Sequence, residues 1–366
     1  MTRIEVLQEE MMKNNWDVLM VQTQPNVFYL SGFNADPHER LLGMVIFKDA
    51  APMLICPNME VNQIKEIFTQ GMIIGYTDSE NPWAKVESYI DDNNLSTNNI
   101  ALESSISWSR LEEWKKIAPD AHFSEADSLL LKQRVIKSPE EITYLEEAAA
   151  LADEGIQTGI DSLKEGITEM EVIAAIEYAL KRKGVREMSF SPMVLFGEKA
   201  GDPHGNPGAR KLKKGDGVLF DLGVMWKGYA SDITRTVFFD HVNEEQQQIY
   251  DTVLAALHNA LDLVKPGQKI GTLDTAARET ITEAGYGEFF PHRIGHGLGI
   301  EVHEFPSMNA ENTDLLQAGM TFTIEPGIYV PDKSGVRIED DILVTEDGAR
   351  SLTSYPKELT IIPAEK

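Results

Sequence analysis

The sequence predicts an α+β protein with two domains, a small N-terminal α/β domain followed by a larger domain made of two related halves. The chain has 366 residues, more than one average domain contains. Helical and strand patterns alternate over the first third, whereas the remainder contains two similar segments that begin 101 positions apart, at Leu163 and Val264. We place the N-terminal domain at residues 1–130 and the second domain at residues 131–366.

The N-terminal domain is predicted from two alternating periodicities. The segments RIEVLQEEMMKNN and VNQIKEIFTQG carry apolar residues at helical spacing. The segments DVLMVQ and MIIGYT are apolar runs typical of buried strands, and LLGMVIFKDAAPMLICP indicates two strands joined by a turn at residues 48–50. This alternation favours a sheet covered by helices.

The second domain is predicted to open on a long helix. Ser138 is a suitable N-cap, Pro139 suits the first helical position and Glu141 completes a capping box. The segments LKEGIT and VKPGQKIGT then each introduce another helix, one ending at Gly184 and the other near Gly285. Two such halves commonly face each other across a cleft, where sites form.

Carboxylates occur in strand-like segments of the first half. Asp221 lies in the middle of VLFDLGV, where a buried carboxylate needs a partner, a proton or a metal ion. Asp232 follows in SDITRT, and on a strand it shares a face with Thr234. A turn at residues 227–228 would bring Asp221 and Asp232 together in a hairpin.

The second half carries a matching pair. On a strand formed by TFTIEPG, Glu325 shares a face with Thr323. On a strand formed by GVRIEDDILV, Glu339 shares a face with Arg337. A lone carboxylate in a strand is more often a turn residue or half of an ion pair. Four in apolar strands of one domain would repel one another in a shared pocket unless divalent cations were bound.

A histidine-rich segment, HRIGHGLGIEVHE, lies between the two pairs and contains His292, His296 and His303. Taken alone, these imidazoles fit metal ligation, acid–base chemistry or packing. Four carboxylates and one imidazole form an oxygen-rich set that suits Mn²⁺ or Co²⁺. Five ligands suit two metal ions about 3.5 Å apart that share bridging carboxylates. We expect the glycines around His296 to let the backbone approach the metals or the substrate.

The composition excludes several classes of function. A net charge of -26 would repel a nucleic acid backbone, and the basic runs are short. The single cysteine, Cys56, cannot form an internal disulfide, which fits a reducing compartment. The N-terminal segment has no apolar signal core, and the apolar runs are too short to span a bilayer. We expect a cytoplasmic protein with neither nucleic acid nor membrane as a partner.

The motifs DLG, SDITRT, HRIGHGLG, IEPG and RIED occur in an order and spacing that resembles the creatinase/prolidase/methionine aminopeptidase family of dinuclear metallopeptidases. The match runs from about residue 135 to the end of the chain. FYLSGF, at residues 28–33, resembles the N-terminal domain of prolidases and aminopeptidase P, which methionine aminopeptidases lack. The resemblance implies a pita-bread catalytic domain with two pseudo-symmetric halves, and a homodimer.

The resemblance also implies roles for individual residues. Asp221 would chelate one metal, Asp232 and Glu339 would bridge two, and His296 and Glu325 would hold the other. His303 and His204 would be the imidazoles beside the scissile carbonyl, Glu325 would carry the proton to the leaving nitrogen, and His292 would line the pocket. Arg337 would orient Glu339 or meet the substrate. The implied ions are Mn²⁺ first, with Co²⁺ or Zn²⁺ as alternatives.

The implied activity is hydrolysis of the bond before proline in a small peptide, by a prolidase acting on Xaa-Pro dipeptides. One alternative is aminopeptidase P, which acts on longer peptides. More remote alternatives are a non-peptidase hydrolase, such as the metal-free creatinase, or a binding protein on the same fold, and an intact ligand set argues against both. A dipeptide carboxylate needs a cation, for which Arg337, His38 and Arg40 are candidates.

Overall fold

The computed structural model describes residues 1–364 and separates into two compact units, Met1–Gln133 and the part of the chain from Arg134 onward. Both units mix helices and sheets, so the predicted α+β class is confirmed. Within residues 1–364, no helix is long and apolar enough to cross a membrane.

The first unit is a six-stranded sheet with helices, in the strand order β4-β3-β2-β1-β5-β6. The two helices and four strands predicted from periodicity are confirmed. Its strands are β1 (Val18–Val21), β2 (Gly43–Phe47), β3 (Met53–Pro57), β4 (Met72–Tyr76), β5 (Asn99–Leu102) and β6 (His122–Glu125). Its helices are α1 (Arg3–Lys13), α2 (Gln24–Ser31), α3 (Val61–Ile67), α4 (Pro82–Asp92), α5 (Trp108–Ile117) and α6 (Asp127–Val135), of which α6 ends just beyond Gln133.

Two helix pairs organise the second unit. The helices are α7 (Pro139–Ser162), α8 (Glu169–Arg182), α9 (Glu244–Leu261) and α10 (Gly271–Glu283). The capping box predicted at Ser138 is present at the start of α7, because the Ser138 hydroxyl accepts from the Glu141 amide while the Glu141 carboxylate accepts from the Ser138 amide.

The strands of the second unit form several small sheets. In the first half they are β7 (Glu187–Met188), β8 (Met193–Phe196), β9 (Gly217–Leu222), β10 (Val224–Trp226), β11 (Tyr229–Ala230) and β12 (Ile233–Phe239). In the second half they are β13 (Gly295–Gly297), β14 (Glu304–Met308), β15 (Thr321–Ile324), β16 (Gly327–Val330), β17 (Ser334–Arg337), β18 (Asp340–Val344), β19 (Ala349–Ser351) and β20 (Ile361–Ile362).

The two halves repeat each other with the predicted offset of 101 residues. Gly166 and Gly267 precede α8 and α10, and both have a left-handed φ, of 83° and 84°. Gly184 and Gly285 follow the same helices, with φ of 95° and 87°. Each helix pair covers its own apolar core, and the core residues of α8 at 172, 176 and 180 correspond to those of α10 at 273, 277 and 281.

Each half also supplies one antiparallel strand pair that leads to the site. In the first half, β9 pairs with β12 and places Asp221 opposite Thr234. In the second half, β15 pairs with β18 and places Ile324 opposite Asp340. The turn predicted at residues 227–228 is present, but it joins the short strands β10 and β11 rather than β9 and β12 directly.

Candidate active site

A cavity of about 440 Å³ lies in the second unit, at the ends of these strand pairs. All nine residues that the sequence predicted for the site line it: His204, Asp221, Asp232, His292, His296, His303, Glu325, Arg337 and Glu339. Phe190, Pro203, Arg293 and Val302 complete the wall.

The carboxylates reach the cavity mainly from strand ends. Asp221 lies within β9, but Asp232 precedes β12, Glu325 follows β15 and Glu339 lies between β17 and β18. The expectation that all four lie inside strands was therefore wrong for three of them. Pro326 follows Glu325 and has no amide hydrogen, so it cannot continue the pairing of β15. The strand therefore ends at the position where the Glu325 carboxylate turns towards the cavity.

His296 lies at the centre of the cluster. Its Nδ1 lies 3.1 Å from the Gly297 carbonyl oxygen, and its Nε2 lies 3.4 Å from Glu325 Oε1 and 3.7 Å from Asp232 Oδ2. Ligand atoms of Asp232, His296 and Glu339 all lie within 4.8 Å of one another. These three buried side chains can therefore hold one divalent ion together.

Buried carboxylate oxygens without a hydrogen-bond partner indicate whether the site can bind metal ions. Within the described chain, Asp221 Oδ1, Asp232 Oδ1 and Glu339 Oε1 are buried without a hydrogen-bond partner. A buried carboxylate oxygen without a donor is costly, because desolvation removes its water and nothing replaces it. Divalent cations would satisfy these oxygens, so the donor set fits metal binding.

The electrostatics of the cluster agree with this fit. Burial raises the pKa of Asp232 and of Glu339 well above the ordinary range, and neighbouring carboxylates raise both further. Burial raises the pKa of Glu325 to about 7, against the attraction of the Arg337 cation. Burial lowers the pKa of His296 to about 3, which leaves its imidazole neutral and able to coordinate a metal.

Arg337 pairs with Asp221 rather than with Glu339. Its guanidinium also donates to Thr234 Oγ1 at 3.0 Å and to the Tyr329 hydroxyl at 2.9 Å. Thr234 in turn donates to Glu339 Oε2 at 2.6 Å, so Arg337 influences Glu339 through Thr234. Arg337 is buried and its guanidinium is occupied by these contacts, so its geometry favours the first of its two predicted roles, orientation of Glu339.

His292 supports the wall of the cavity. Its Nε2 lies 2.8 Å from the Tyr329 hydroxyl and its Nδ1 lies 2.8 Å from the Arg293 carbonyl oxygen. Both ring nitrogens are thus engaged by the protein. This arrangement matches a pocket-lining role and leaves no ring nitrogen for a metal.

His303 packs edge-on against His296, with ring centroids 4.1 Å apart. Burial lowers the pKa of His303, and the Arg293 cation lowers it further, so the imidazole is neutral at neutral pH. The next residue, Glu304, forms ion pairs with Arg134 and with Lys137, the latter at 3.2 Å. These buried pairs hold the segment that presents His303 to the cavity.

The glycines around His296 serve strand packing. A side chain at Gly295 would lie 2.0 Å from the Thr323 carbonyl oxygen, and one at Gly297 would lie 2.1 Å from that of Phe305. The expectation that these glycines admit metals or substrate was therefore wrong. They allow β13 to lie against β15 and β14 closely enough to place His296 in the cluster.

Several residues of the site were not predicted from the sequence. Tyr329 lies in the apolar segment GIYV, which carries no polar periodicity that could mark it. Asp341 accepts from the Asp232 amide at 3.0 Å, and its place in the run EDD was a usable signal. Thr234 was recognisable, because it shares a strand face with Asp232.

Family models match both units. The model described as metallopeptidase family M24 matches residues 143–346, and the creatinase/prolidase N-terminal domain model matches residues 3–136. The chain is 52% identical to a "putative dipeptidase" of Bacillus subtilis over 363 residues, which cover 99% of this chain and all of that protein.

Solved structures show the same architecture. An Xaa-Pro dipeptidase from Bacillus anthracis is 31% identical, with a TM-score of 0.91 and coverage of 98% of each chain. An X-Pro aminopeptidase from Thermotoga maritima is 28% identical, with a TM-score of 0.89 and coverage of 97% of this chain and 100% of that one.

Proposed function

This chain belongs to metallopeptidase family M24, and from that premise we propose that it hydrolyses the bond before proline in Xaa-Pro dipeptides. One observation carries the proposal: four carboxylates and His296 converge in one cavity that contains unpartnered buried carboxylate oxygens. The names of the dipeptidase and aminopeptidase structures reported above both specify proline, which supports the choice of substrate.

We assign two divalent ions to the five ligands, Mn²⁺ before Co²⁺ or Zn²⁺ because oxygen donors predominate. In this assignment Asp221 would hold one ion, His296 and Glu325 would hold the other, and Asp232 and Glu339 would serve both. When bound, the ions supply Lewis-acid activation of water and of the scissile carbonyl.

The chain's own residues then handle protons and orientation. Glu325 lines the cavity beside His296, where its carboxylate is placed to accept a proton from the attacking water and to donate it to the leaving nitrogen. His303 is neutral, so one ring nitrogen can donate a hydrogen bond to the carbonyl oxygen as negative charge develops there. His204 lines the same cavity and can contribute a second donor.

The carboxylate of a dipeptide requires a cation, and we assign this role to Arg293. Arg293 lines the cavity, is exposed, and donates to Ser307 Oγ at 2.9 Å. If this assignment is correct, Arg293→Ala raises KM for Ala-Pro more than it raises the inhibition constant of Ala-Pro-Ala, measured as a competitor of Ala-Pro hydrolysis. His38 and Arg40 stay alternative predictions, tested by the same pair of peptides.

Aminopeptidase P activity is the second candidate, and the similarity to an X-Pro aminopeptidase favours testing it. A non-peptidase hydrolase or a binding protein on this fold remains the remote alternative. The homodimer, the cytoplasmic location and the domain limits expected from the sequence stay predictions.

The test is hydrolysis of Ala-Pro, Ala-Pro-Ala and Ala-Ala by Mn²⁺-loaded enzyme. We expect cleavage of Ala-Pro alone. Strong cleavage of Ala-Pro-Ala would instead assign aminopeptidase P, and strong cleavage of Ala-Ala would overturn proline specificity. Unchanged activity in a chelator would overturn the metallopeptidase mechanism.

A further inference from the structure

The segment that carries His204 leaves β8 after Phe196 and rejoins the packed structure at Gly208. Its first part, the 3-10 helix Gly197–Gly201, packs tightly, because a side chain at Gly201 would lie 2.6 Å from the Val330 carbonyl oxygen. Its tip is open, and His204 is exposed even though it lines the catalytic cavity. The position of the imidazole therefore depends on the contacts that hold this tip.

A single buried carboxylate holds both ends of the segment. Glu169, at the start of α8, is 0% exposed. Its Oε1 accepts from the Phe196 amide at 3.0 Å, and its Oε2 accepts from the Gly208 amide at 2.7 Å. The residues before and after the His204 segment are thus bound to the same side chain.

Lys199 extends this clamp towards the tip. Its ammonium group donates to Glu169 Oε2 at 2.5 Å and to the Asn206 carbonyl oxygen at 2.7 Å. The chain of contacts from Glu169 therefore ends two residues from His204. Charge-assisted hydrogen bonds to a buried carboxylate are stronger than neutral ones, so they restrict the backbone they hold.

Capping of α8 does not account for Glu169. The helix is capped by Thr168 and Glu171, whose side chains and backbones form a complete capping box. Glu169 does not line the cavity either, so it has no direct contact with the substrate. The three hydrogen bonds that its carboxylate accepts all come from the His204 segment and its flanks.

We propose that Glu169, acting with Lys199, is a positioning residue that fixes His204 in reach of the scissile carbonyl. The inference rests on the proposed role of His204 in peptide hydrolysis. A reacting group displaced by about 1 Å can lose roughly a hundredfold in rate, so a mobile His204 tip would lower kcat.

The first test is a double-mutant cycle with Mn²⁺-loaded enzyme and Ala-Pro. Glu169→Gln keeps the size of the side chain but replaces one acceptor with an amide NH₂, so the side chain can no longer accept from both the Phe196 and the Gly208 amides. We expect kcat to fall about tenfold to a hundredfold, with KM and metal content little changed. In a His204→Ala background the same substitution should cost less than about twofold, because coupled residues are non-additive.

The second test does not depend on activity. Amide hydrogen exchange of residues 202–208 should be faster in Glu169→Gln than in the wild type. Lys199→Met removes the hydrogen bond to the Asn206 carbonyl oxygen but keeps both backbone contacts of Glu169. It should therefore accelerate exchange at the tip, and it provides a test even if Glu169→Gln folds poorly. Glu171→Gln is the matched control, since it alters an exposed glutamate of the same helix turn and should leave both readouts unchanged.

The outcomes separate this inference from the proposed function. Equal losses of kcat from Glu169→Gln in the wild-type and His204→Ala backgrounds would overturn positioning through His204. An unaltered kcat in His204→Ala alone would overturn the positioning role of Glu169 as well. Unaltered amide exchange in both Glu169→Gln and Lys199→Met would also overturn it. Absence of Xaa-Pro hydrolysis by the wild type would overturn the proposed function, while exchange would still decide whether Glu169 anchors the segment.

Discussion

Asp232, one of the proposed metal ligands, carries a buried carboxylate that is unfavourable for the metal-free fold. Its carboxylate is buried, one of its oxygens has no partner among the described residues, and neighbouring carboxylates raise its pKa further. A bound metal ion would satisfy this oxygen, so we expect metal binding and folding stability to be coupled at this position.

Asp232→Asn should abolish tight metal binding yet stabilise the metal-free protein, because it removes a buried charge without removing a hydrogen bond from Oδ1. Each 1 kcal/mol gained would raise Tm by roughly 2–4 °C for a unit of this size. Thermal unfolding in a chelator measures the effect, with exposed Glu311→Gln as the control. A lower Tm for metal-free Asp232→Asn would contradict the account.

Thr234 connects Arg337 to Glu339 by two hydrogen bonds. Thr234→Val keeps the shape of the side chain but removes the hydrogen bond that holds the Glu339 carboxylate. We therefore expect metal affinity to fall about 10- to 100-fold. Thr236→Val is the matched control, because Thr236 is equally buried on the same strand face but bonds only to the Arg337 backbone. Titration of Mn²⁺ into each variant measures this difference, and equal affinities would refute the role of Thr234.

At the scale of elements, β13 depends on glycine for its closeness to neighbouring strands. Gly297→Ala would force a carbon to within 2.1 Å of the Phe305 carbonyl oxygen. We expect a loss of about 1–3 kcal/mol in unfolding free energy and lower activity, since His296 is displaced. Gly348→Ala is the control, because the nearest atom to its new carbon lies 4.0 Å away. Denaturant unfolding measures this loss in both variants. Equal losses of unfolding free energy in Gly297→Ala and Gly348→Ala would contradict the expectation.

Much of the element pattern could be predicted from the sequence, because helix caps and apolar periodicity are local signals. The capping box at Ser138 and the repeat that relates Gly166 to Gly267 are examples. Strand ends were harder, since β12 begins just after Asp232 for reasons of sheet pairing. Long-range contacts such as Tyr329 to His292 leave no periodic trace at all.

At the scale of the whole molecule, metal binding should depend on pH. Burial raises the pKa of Glu325 from 4.5 to about 7, so this carboxyl holds a proton in the metal-free protein below pH 7. A metal ion must displace that proton, so affinity should rise with pH through the range in which Glu325 titrates, by up to about tenfold per pH unit for each proton released. Mn²⁺ titrations between pH 6 and pH 8 test this, and a flat profile would contradict it.

The same shift has a defined sign for stability. Because the pKa of Glu325 is raised in the folded protein, protonated Glu325 contributes to the free energy of unfolding. This contribution is fully present below pH 4.5 and is lost as pH rises through about 7. Metal reverses this loss, because an ion that binds only the folded state stabilises it by about 2.7 kcal/mol at a hundred times its dissociation constant. Chelation should therefore destabilise the protein more at pH 8 than at pH 6.

We propose that five residues, Asp221, Asp232, His296, Glu325 and Glu339, hold two metal ions that hydrolysis requires. The most direct test is to strip the protein with a chelator, add Mn²⁺ stepwise, and follow bound metal and Ala-Pro hydrolysis together. We expect activity to return and to saturate at two ions per chain. Full activity in the stripped protein, or no tightly bound ion at saturation, would contradict it.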